Sequence, residues 1–440
     1  MHKSLFKIPN IRLFIIFKVL FNSRFYYPVF TILFLDFGLT IAQFSILNAV
    51  WAGTIVLSEV PSGALADIFG RKKLLVFSSS VMMVEVGIIS FMPGMNSFIV
   101  FMVFLVNRVL SGLAEAAASG ADEALAYDSL KADGQEEQWG KVLEILAKYQ
   151  SIGFIIAMSA GAAIYDPVLM TRIVKFFGAD MELNQEITMR FPLYLTFILA
   201  IFAFLTTIQM QEVKPEDKSS RQGQNTDIKQ AFRLTFKAGA WILKTPFVLS
   251  VFLFGMVFDG VVRMIVTLSS QYYRMIDIPE SLFGIIGSLV AMLGLVIPKI
   301  ARSMAENRKP SHGLFVTAIL TITGLFSMNF FWPYAGLIPA LITFSTMYFT
   351  GFFVSFYINK ETSSKQRATV LSFKGLAYNL SYGILGILYA LLLKAEKQGH
   401  AVSNALENKV FIDTFIWFPG LFTLLFFILV IVYWIWLKDR

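Results

Sequence analysis

The chain has 440 residues, of which 56% are hydrophobic and only 15% are charged. Soluble globular proteins carry about a quarter charged residues, so this composition excludes an ordinary soluble domain and indicates a membrane protein. The net charge is +8, but the cations fall mostly in alternate loops. That distribution is typical of membrane orientation and argues against nucleic-acid binding.

Twelve apolar windows of about twenty residues follow in chain order, each long enough to cross a bilayer as a helix. The first six lie at about 11–36, 41–68, 73–93, 97–127, 140–166 and 190–211. The second six lie at about 243–273, 280–305, 312–332, 334–360, 366–394 and 409–437. Because the first window has no small-residue cleavage site, we expect a retained span and not a signal peptide.

A polar, charged segment without apolar periodicity separates the two sets of windows. It covers residues 212–240 and predicts a cytoplasmic linker with an amphipathic helix at its end. The predicted domains are an N-terminal six-helix bundle at 1–211 and a C-terminal six-helix bundle at 241–440. The predicted fold class is therefore an all-α polytopic membrane protein with twelve transmembrane helices.

The short loops predict the orientation, because cytoplasmic loops carry an excess of lysine and arginine. Cations cluster before helix 1, after helices 2, 4 and 8, and before helix 11, while the loops after helices 1, 3 and 9 have almost none. The loops after helices 5 and 11 are exceptions. We predict a multi-pass protein of the cell (inner) membrane with both termini in the cytoplasm.

A conspicuous motif lies between helices 2 and 3. Its glycines permit a tight turn, its cations favour the cytoplasmic side, and Asp67 would be costly there unless Arg71 pairs with it. The stretch resembles the corresponding loop of the major facilitator superfamily, G-x-L-x-D-x-x-G-R-K. The matching residues are Gly63, Leu65, Asp67, Gly70, Arg71 and Lys72. Ile68 departs from the arginine that the family often has, and an ordinary cationic loop is the alternative interpretation.

The resemblance implies a twelve-helix facilitator fold with two pseudo-symmetric bundles that work by alternating access. It also implies that an acid at the cytoplasmic end of helix 4 pairs with the motif arginine as a conformational latch. Asp128 is the first candidate for that acid and Glu123 the second. The alternative is a solvated helix end whose exposed ion pair contributes little.

Ionisable residues within the spans are candidates for proton coupling. Arg108 and Gly112 resemble the family's R-x-x-x-G element of helix 4, which is implicated in proton-linked transport, and Glu115 shares their helical face. Glu115 is the first candidate, followed by Glu85 and Asp259. The alternative is that Arg108 and Glu115 only neutralise each other.

The two halves repeat, as in transporters built from parallel repeats. Aligning helix 1 with helix 7 places Arg24 opposite Arg263, and aligning helix 5 with helix 11 places Lys148 opposite Lys374. We predict that a substrate cavity is lined by Asn22, Arg24, Tyr27, Lys148, Asp259, Arg263, Lys374, Tyr378 and Tyr382. The alternatives are cations paired for structure, for Lys148 with Glu144, and tyrosines in ordinary interhelical packing.

Some chemistries are not indicated. The chain has no cysteine, and His2, His312 and His400 lie in the tail or in loops, so we expect no metal or other cofactor. Neither a nucleotide-binding loop nor a nucleophile–base pair is visible, so we expect no enzymatic activity. Helix 5 has Gly153 and Gly161 but no proline, so it lacks the G-P-x-x-G-G element of many drug–proton antiporters.

These observations predict a secondary active transporter of a small organic solute, monomeric and driven by protons or by the membrane potential. Three membrane acids are too few to pair with all the membrane cations, so an anionic or amphiphilic substrate is favoured. Moving a negative charge outward gains about 2.3 kcal/mol per 100 mV, which puts export slightly ahead of import. The alternatives are a drug–proton antiporter, a lipid-moving protein of the same fold, a proton-coupled importer and a sensor without transport.

Overall fold

A computed structural model describes residues 5–94, 96–213, 228–362, 364–397 and 404–434. Within these ranges the chain is helical and contains no strand. Twelve helical segments are long and apolar enough to cross a membrane, so the predicted all-α fold with twelve spans is confirmed. We number these spans 1 to 12 in chain order.

The helices of the first half begin and end close to the predicted windows. They are α1 (Pro9–Asn22), α2 (Phe30–Asp36), α3 (Ile41–Phe69), α4 (Arg71–Ser90), α5 (Ser97–Ala118), α6 (Ala121–Ala132), α7 (Trp139–Tyr165), α8 (Pro167–Phe176), α9 (Gln185–Thr188) and α10 (Phe191–Gln209). The short helix α8 in the loop after span 5 was not predicted. Its N-cap is Asp166, whose carboxylate accepts from the backbone N–H groups of Val168 and Leu169.

The helices of the second half follow the amphipathic helix α11 (Ile228–Lys244), which lies where the sequence predicted one. They are α12 (Pro246–Thr267), α13 (Ser269–Met275), α14 (Phe283–Asn307), α15 (Pro310–Met328), α16 (Leu337–Glu361), α17 (Ser364–Glu396), α18 (Asn404–Thr414) and α19 (Trp417–Val432). Of the predicted linker, residues 214–227 lie outside the described residues.

Four spans, numbers 1, 4, 6 and 12, are each divided into two α-helices, which the hydropathy windows did not reveal. Span 1 consists of α1 and α2, and the residues between them include Arg24. Span 4 consists of α5 and α6, which meet at Gly120 with a φ of 76°, in the left-handed region that favours glycine. Arg108 and Glu115 share a face of α5. Asp122 lies further along the sequence, but it belongs to α6, so the face does not continue to it.

The described chain forms two compact units. Unit 1 comprises Met1–Val29, Thr54–Phe232 and Ser281–Gly287, and unit 2 comprises Phe30–Gly53, Arg233–Glu280 and Ser288–Arg440. Their boundaries differ from the predicted sequence halves, because residues 30–53 group with helices of the second half and residues 281–287 with helices of the first. The division into two six-helix bundles stays a prediction.

Unit 1 is built around α1, α4, α5, α6 and α10. Small buried residues lie where α5 and α6 meet their neighbours, among them Ala114, Ala117 and Ala121. Small side chains allow helix backbones to approach closely in a membrane protein. Residues 281–287 join this unit through α7, since a Cβ on Gly284 would lie only 2.0 Å from the carbonyl oxygen of Met158.

Unit 2 is built around α12, which packs against α16, α17 and α19. Residues 30–53 join it through polar contacts. The Thr31 N–H donates to the Ser270 hydroxyl at 3.0 Å, and the Arg274 guanidinium donates two hydrogen bonds of 2.9 Å to the Asp36 carboxylate. A fork-to-fork arginine–carboxylate pair fixes both position and orientation.

Candidate functional site

The motif turn between α3 and α4 is built around Gly70 and Glu212. Gly70 has a φ of 100°, and a Cβ there would lie 2.8 Å from the Glu212 carboxylate. That carboxylate accepts from the backbone N–H groups of Arg71 at 3.1 Å and of Lys72 at 2.9 Å. An acid thus satisfies the first N–H groups of α4, and the positive φ of the turn favours glycine at position 70.

The Arg71 side chain reaches from this turn to α6. Its guanidinium donates to the carbonyl oxygen of Ala124 at 2.9 Å and forms an ion pair with the Asp128 carboxylate. The structure therefore brings together the two residues that the sequence argument chose for the latch. Glu123 is exposed and forms no ion pair with a described residue. Gly63 has open space beside it, and the side chain of Asp67 lies outside the described residues.

A buried polar network connects the segment after α1 with α4 and α5 in unit 1. The Arg24 guanidinium pairs with the Glu85 carboxylate at 2.6 Å, where the two side chains are 3% and 0% exposed. Arg24 also donates to the Tyr26 hydroxyl at 2.7 Å. The Asn107 amide donates to the Glu85 carboxylate, and its oxygen accepts from the Arg108 guanidinium at 2.9 Å. A carboxylate and an amide thus link two arginines.

Glu115 lies on the same helix as this network but is not part of it. It is half-buried, and no described residue forms a hydrogen bond or an ion pair with its carboxylate. The charges of Arg24 and Lys18 act on it electrostatically. Lys18 itself pairs with Asp122 at 2.6 Å. Of the acids that the sequence proposed for proton coupling, Glu115 is therefore the one that the geometry leaves available.

Unit 2 contains a cavity of about 290 Å³ between α12, α16 and α17. It is lined by Phe258, Asp259, Arg263, Met347, Thr350, Gly351, Val354, Lys374, Gly375, Tyr378 and Asn379. Arg263 forms an ion pair with Asp259, donates to the Asn379 amide oxygen at 2.9 Å and lies 5.3 Å from the Tyr382 ring centroid. The cavity therefore holds two cations and one acid from the predicted site.

The cavity also carries polar groups without a partner among the described residues. The hydroxyls of Thr350 and Tyr378 are buried and make no hydrogen bond. The Lys374 ammonium lies 5.4 Å from the Tyr378 ring centroid, a cation–π distance, and forms no ion pair with a described residue. Buried polar groups are normally satisfied, so these groups mark a place where a ligand could bind.

The structure corrects the sequence argument that the membrane cations exceed their partners. Arg24 and Arg263 were treated as surplus positive charge, but each contacts a carboxylate. The alternative interpretation, in which the arginines are paired, therefore holds for both. Among the ionised side chains that line the unit 2 cavity, Lys374 is the one that forms no ion pair with a described residue.

The other predicted cavity residues have different surroundings. Lys148 is exposed on α7 and does not pair with Glu144. The Asn22 amide donates to the carbonyl oxygen of Lys18 at 2.8 Å, within its own helix. Tyr27 is exposed, with its ring edge-on to Tyr26. The hydroxyl of Tyr382, which is itself buried, donates to the hydroxyl of Thr267 at 3.1 Å.

Sequence reasoning missed four polar residues in these sites. They are Asn107, Glu212, Thr350 and Asn379. The position of Asn107 beside Arg108 was the one available signal. Glu212 and Asn379 bond to residues that are distant in sequence, and Thr350 lines the cavity without a bonded partner among the described residues, so no spacing rule identifies these three.

The twelve spans define a multi-pass membrane protein with a buried ion pair between spans 1 and 3. The family model described as Major Facilitator Superfamily matches residues 13–386. The chain belongs to the Major Facilitator Superfamily, and the expected resemblance is confirmed.

Solved structures give the same result for the fold. The nucleoside transporter NupG has a TM-score of 0.70 at 15% identity, covering 98% of this chain and 99% of its own. A bacterial homologue of the human lysosomal transporter Spinster, in an inward-facing and unoccupied conformation, has a TM-score of 0.69 at 14% identity, covering 100% and 99%. A D-xylose–proton symporter has a TM-score of 0.62 at 10% identity, covering 93% and 96%. The search of curated protein sequences found no match.

Proposed function

We propose that the protein is a secondary active transporter that moves a small organic solute with an anionic group across the cell (inner) membrane. The two six-helix halves, 1–211 and 241–440, would alternate access to a central site. The observation that carries the proposal is the unit 2 cavity, in which Lys374 has no anionic partner among the described residues.

The charges of the cavity favour an anion. Arg263 is already neutralised by Asp259, so the net charge of the three ionised side chains is +1. A cation within a membrane protein normally pairs with an anion or faces a water-filled space. A carboxylate or phosphate on the substrate would supply that partner for Lys374.

The remaining lining suits the rest of an organic solute. The unbonded hydroxyls of Thr350 and Tyr378 would hydrogen-bond its polar groups, and Phe258 would contact its apolar part. Ligand sites of this kind are apolar surfaces with a few placed polar groups. A volume of about 290 Å³ corresponds to a small metabolite-sized molecule.

The proposal includes proton coupling through Glu115, with Arg71 and Asp128 as the cytoplasmic latch. Glu115 supports this role because its carboxylate has no bonded partner among the described residues, whereas Glu85 and Asp259 are each held by an arginine. Export is slightly favoured over import, because an inside-negative potential drives anions outward. A proton-coupled importer is the second candidate, favoured by the two unbonded hydroxyls, which would equally bind a neutral polyol.

Proteoliposomes under an imposed proton gradient test this function. An internal pH-sensitive dye should report proton movement when an organic carboxylate is added, but not when the amide of the same skeleton is added. Accumulation of neutral polyols alone would favour the importer. If a broad panel of solutes gives no proton or solute movement from properly folded protein, transport itself is refuted.

Replacing Glu115 with glutamine should abolish proton-coupled flux and leave substrate exchange intact. The substitution keeps the shape of the side chain but removes the group that gains and loses the proton. Glu137→Gln is the matched control, since Glu137 is an exposed acid that belongs to no predicted site. The dye assay and isotope exchange measure the two activities separately. Unchanged pH dependence in Glu115→Gln would show that another group carries the proton.

A further inference from the structure

A second, larger groove lies in unit 2, away from the cavity of the proposed substrate. Its volume is about 860 Å³, and it is formed by the beginnings of α12 and α15 and the end of α19. Because α12 and α15 run opposite to α19, these three ends lie on the same side of the membrane. The groove is therefore located at one membrane–water interface.

The body of the groove is aromatic and apolar. Phe247, Phe254, Phe315 and Phe426 line it, and Phe315 is 57% exposed. These rings lie on helices that are long and apolar enough to span a membrane, so their exposed surfaces are suited to contact with lipid. An acyl chain has no polar groups, so it can cover this apolar surface without leaving a hydrogen-bonding group unsatisfied.

The rim of the groove is cationic. Arg308, Lys309 and His312 line it, and no Asp or Glu does. All three side chains are exposed, and neither Arg308 nor Lys309 forms an ion pair with a described residue. Cations at this depth attract the anionic headgroups of the bilayer. The apolar body of the groove fits an acyl chain, and its cationic rim attracts a negatively charged headgroup. The groove as a whole therefore fits a molecule that has both.

We propose that this groove binds an acidic phospholipid of the surrounding bilayer. Its acyl chain lies against Phe247, Phe315 and Phe426, and its headgroup phosphate lies within reach of Arg308 and Lys309. Arginine and phosphate form bidentate, charge-assisted hydrogen bonds, whereas lysine adds a point charge. The bound lipid would fill the space between three helix ends and so stabilise unit 2.

Other occupants match the groove less well. A free phosphate would leave the aromatic body uncovered, and a cationic amphiphile would be repelled by the rim. A zwitterionic lipid would fill the body but carry no net charge for Arg308 and Lys309.

The test is lipid binding to the full-length purified protein, measured by native mass spectrometry and by the melting temperature. The probes are phosphatidylglycerol and phosphatidylcholine with identical acyl chains, and glycerol 3-phosphate as the isolated headgroup. Phosphatidylglycerol should bind at least tenfold more tightly than phosphatidylcholine and raise the melting temperature. Glycerol 3-phosphate should do neither.

The variant Arg308→Gln/Lys309→Gln should weaken phosphatidylglycerol binding about tenfold and leave phosphatidylcholine binding unchanged. The matched control is Arg302→Gln, an exposed arginine of α14 that does not line the groove and pairs with Glu306. If the double variant folds poorly, Lys309→Gln alone gives a smaller loss in the same direction. Equal binding of the two lipids, or undiminished phosphatidylglycerol binding by the variants, would overturn the proposal. A shift with glycerol 3-phosphate alone would show a simple phosphate site instead.

Discussion

Replacing Glu85 with alanine should lower the free energy of unfolding by about 3–5 kcal/mol, the usual cost of removing one partner of a buried ion pair. The variant leaves the Arg24 guanidinium buried without a carboxylate and removes the acceptor of the Asn107 amide. Uncompensated charge inside a membrane protein is expensive because no water reaches it. The melting temperature and the yield of monodisperse protein in detergent measure this loss.

Two further variants show whether the pair itself is responsible. Glu115→Ala removes the same type of side chain from a half-buried position without a bonded partner, so it should have a much smaller effect. The double variant Arg24→Leu/Glu85→Leu removes both charges and should recover most of the stability. A melting temperature of Glu85→Ala equal to that of the wild type would contradict the structural role of this network.

Replacing Asp128 with asparagine should reduce transport at least tenfold while the protein folds normally. The ion pair between Asp128 and Arg71 lies near the surface, where such pairs contribute about 0–1 kcal/mol to stability. Destabilising one conformational state by about 1.4 kcal/mol nevertheless lowers its population relative to the other state about tenfold. Such a change affects transport because the states of a transporter are close in energy. Arg71→Ala and Asp67→Asn should have the same effect.

Lys73→Ala is the matched control for the latch, since Lys73 is an exposed cation of the same turn. Initial transport rates in proteoliposomes and melting temperatures in detergent separate loss of cycling from loss of folding. The charge-exchanged variant Arg71→Asp/Asp128→Arg should regain part of the rate. Transport at the wild-type rate by Asp128→Asn would exclude a latch at this position.

Hydropathy predicted the twelve spans because a membrane-spanning helix needs a long apolar window, and that requirement is visible in any sequence. The interruptions of spans 1 and 4 could not be predicted in the same way. Averaging over a window conceals a single Gly120 or a short segment around Arg24. The grouping of residues 30–53 with unit 2 depends on tertiary contacts such as Asp36–Arg274, which no local pattern encodes.

The charged residues of the candidate sites were found from the sequence, but their pairing was not. A count of acids and bases suggested surplus arginines, whereas geometry pairs Arg24 with Glu85 and Arg263 with Asp259. Neutral amides complete these clusters, and Asn107 and Asn379 resemble ordinary packing residues in a sequence. Once these ion pairs are taken into account, Lys374 is the one ionised side chain lining the unit 2 cavity that forms no ion pair with a described residue.

The preference of the unit 2 cavity for anions is measured most directly by ligand-induced stabilisation. The melting temperatures of the wild type, Lys374→Gln and the control Lys394→Gln would be compared with carboxylates, amides and amines of identical skeletons. Lys394 is an exposed lysine near the end of the same helix and does not line the cavity. A ligand at 100 times its Kd stabilises by about 2.7 kcal/mol. We expect carboxylates to stabilise the wild type and Lys394→Gln, and to bind Lys374→Gln about tenfold more weakly. Stabilisation by the amines, unchanged in Lys374→Gln, would contradict an anion site in this cavity.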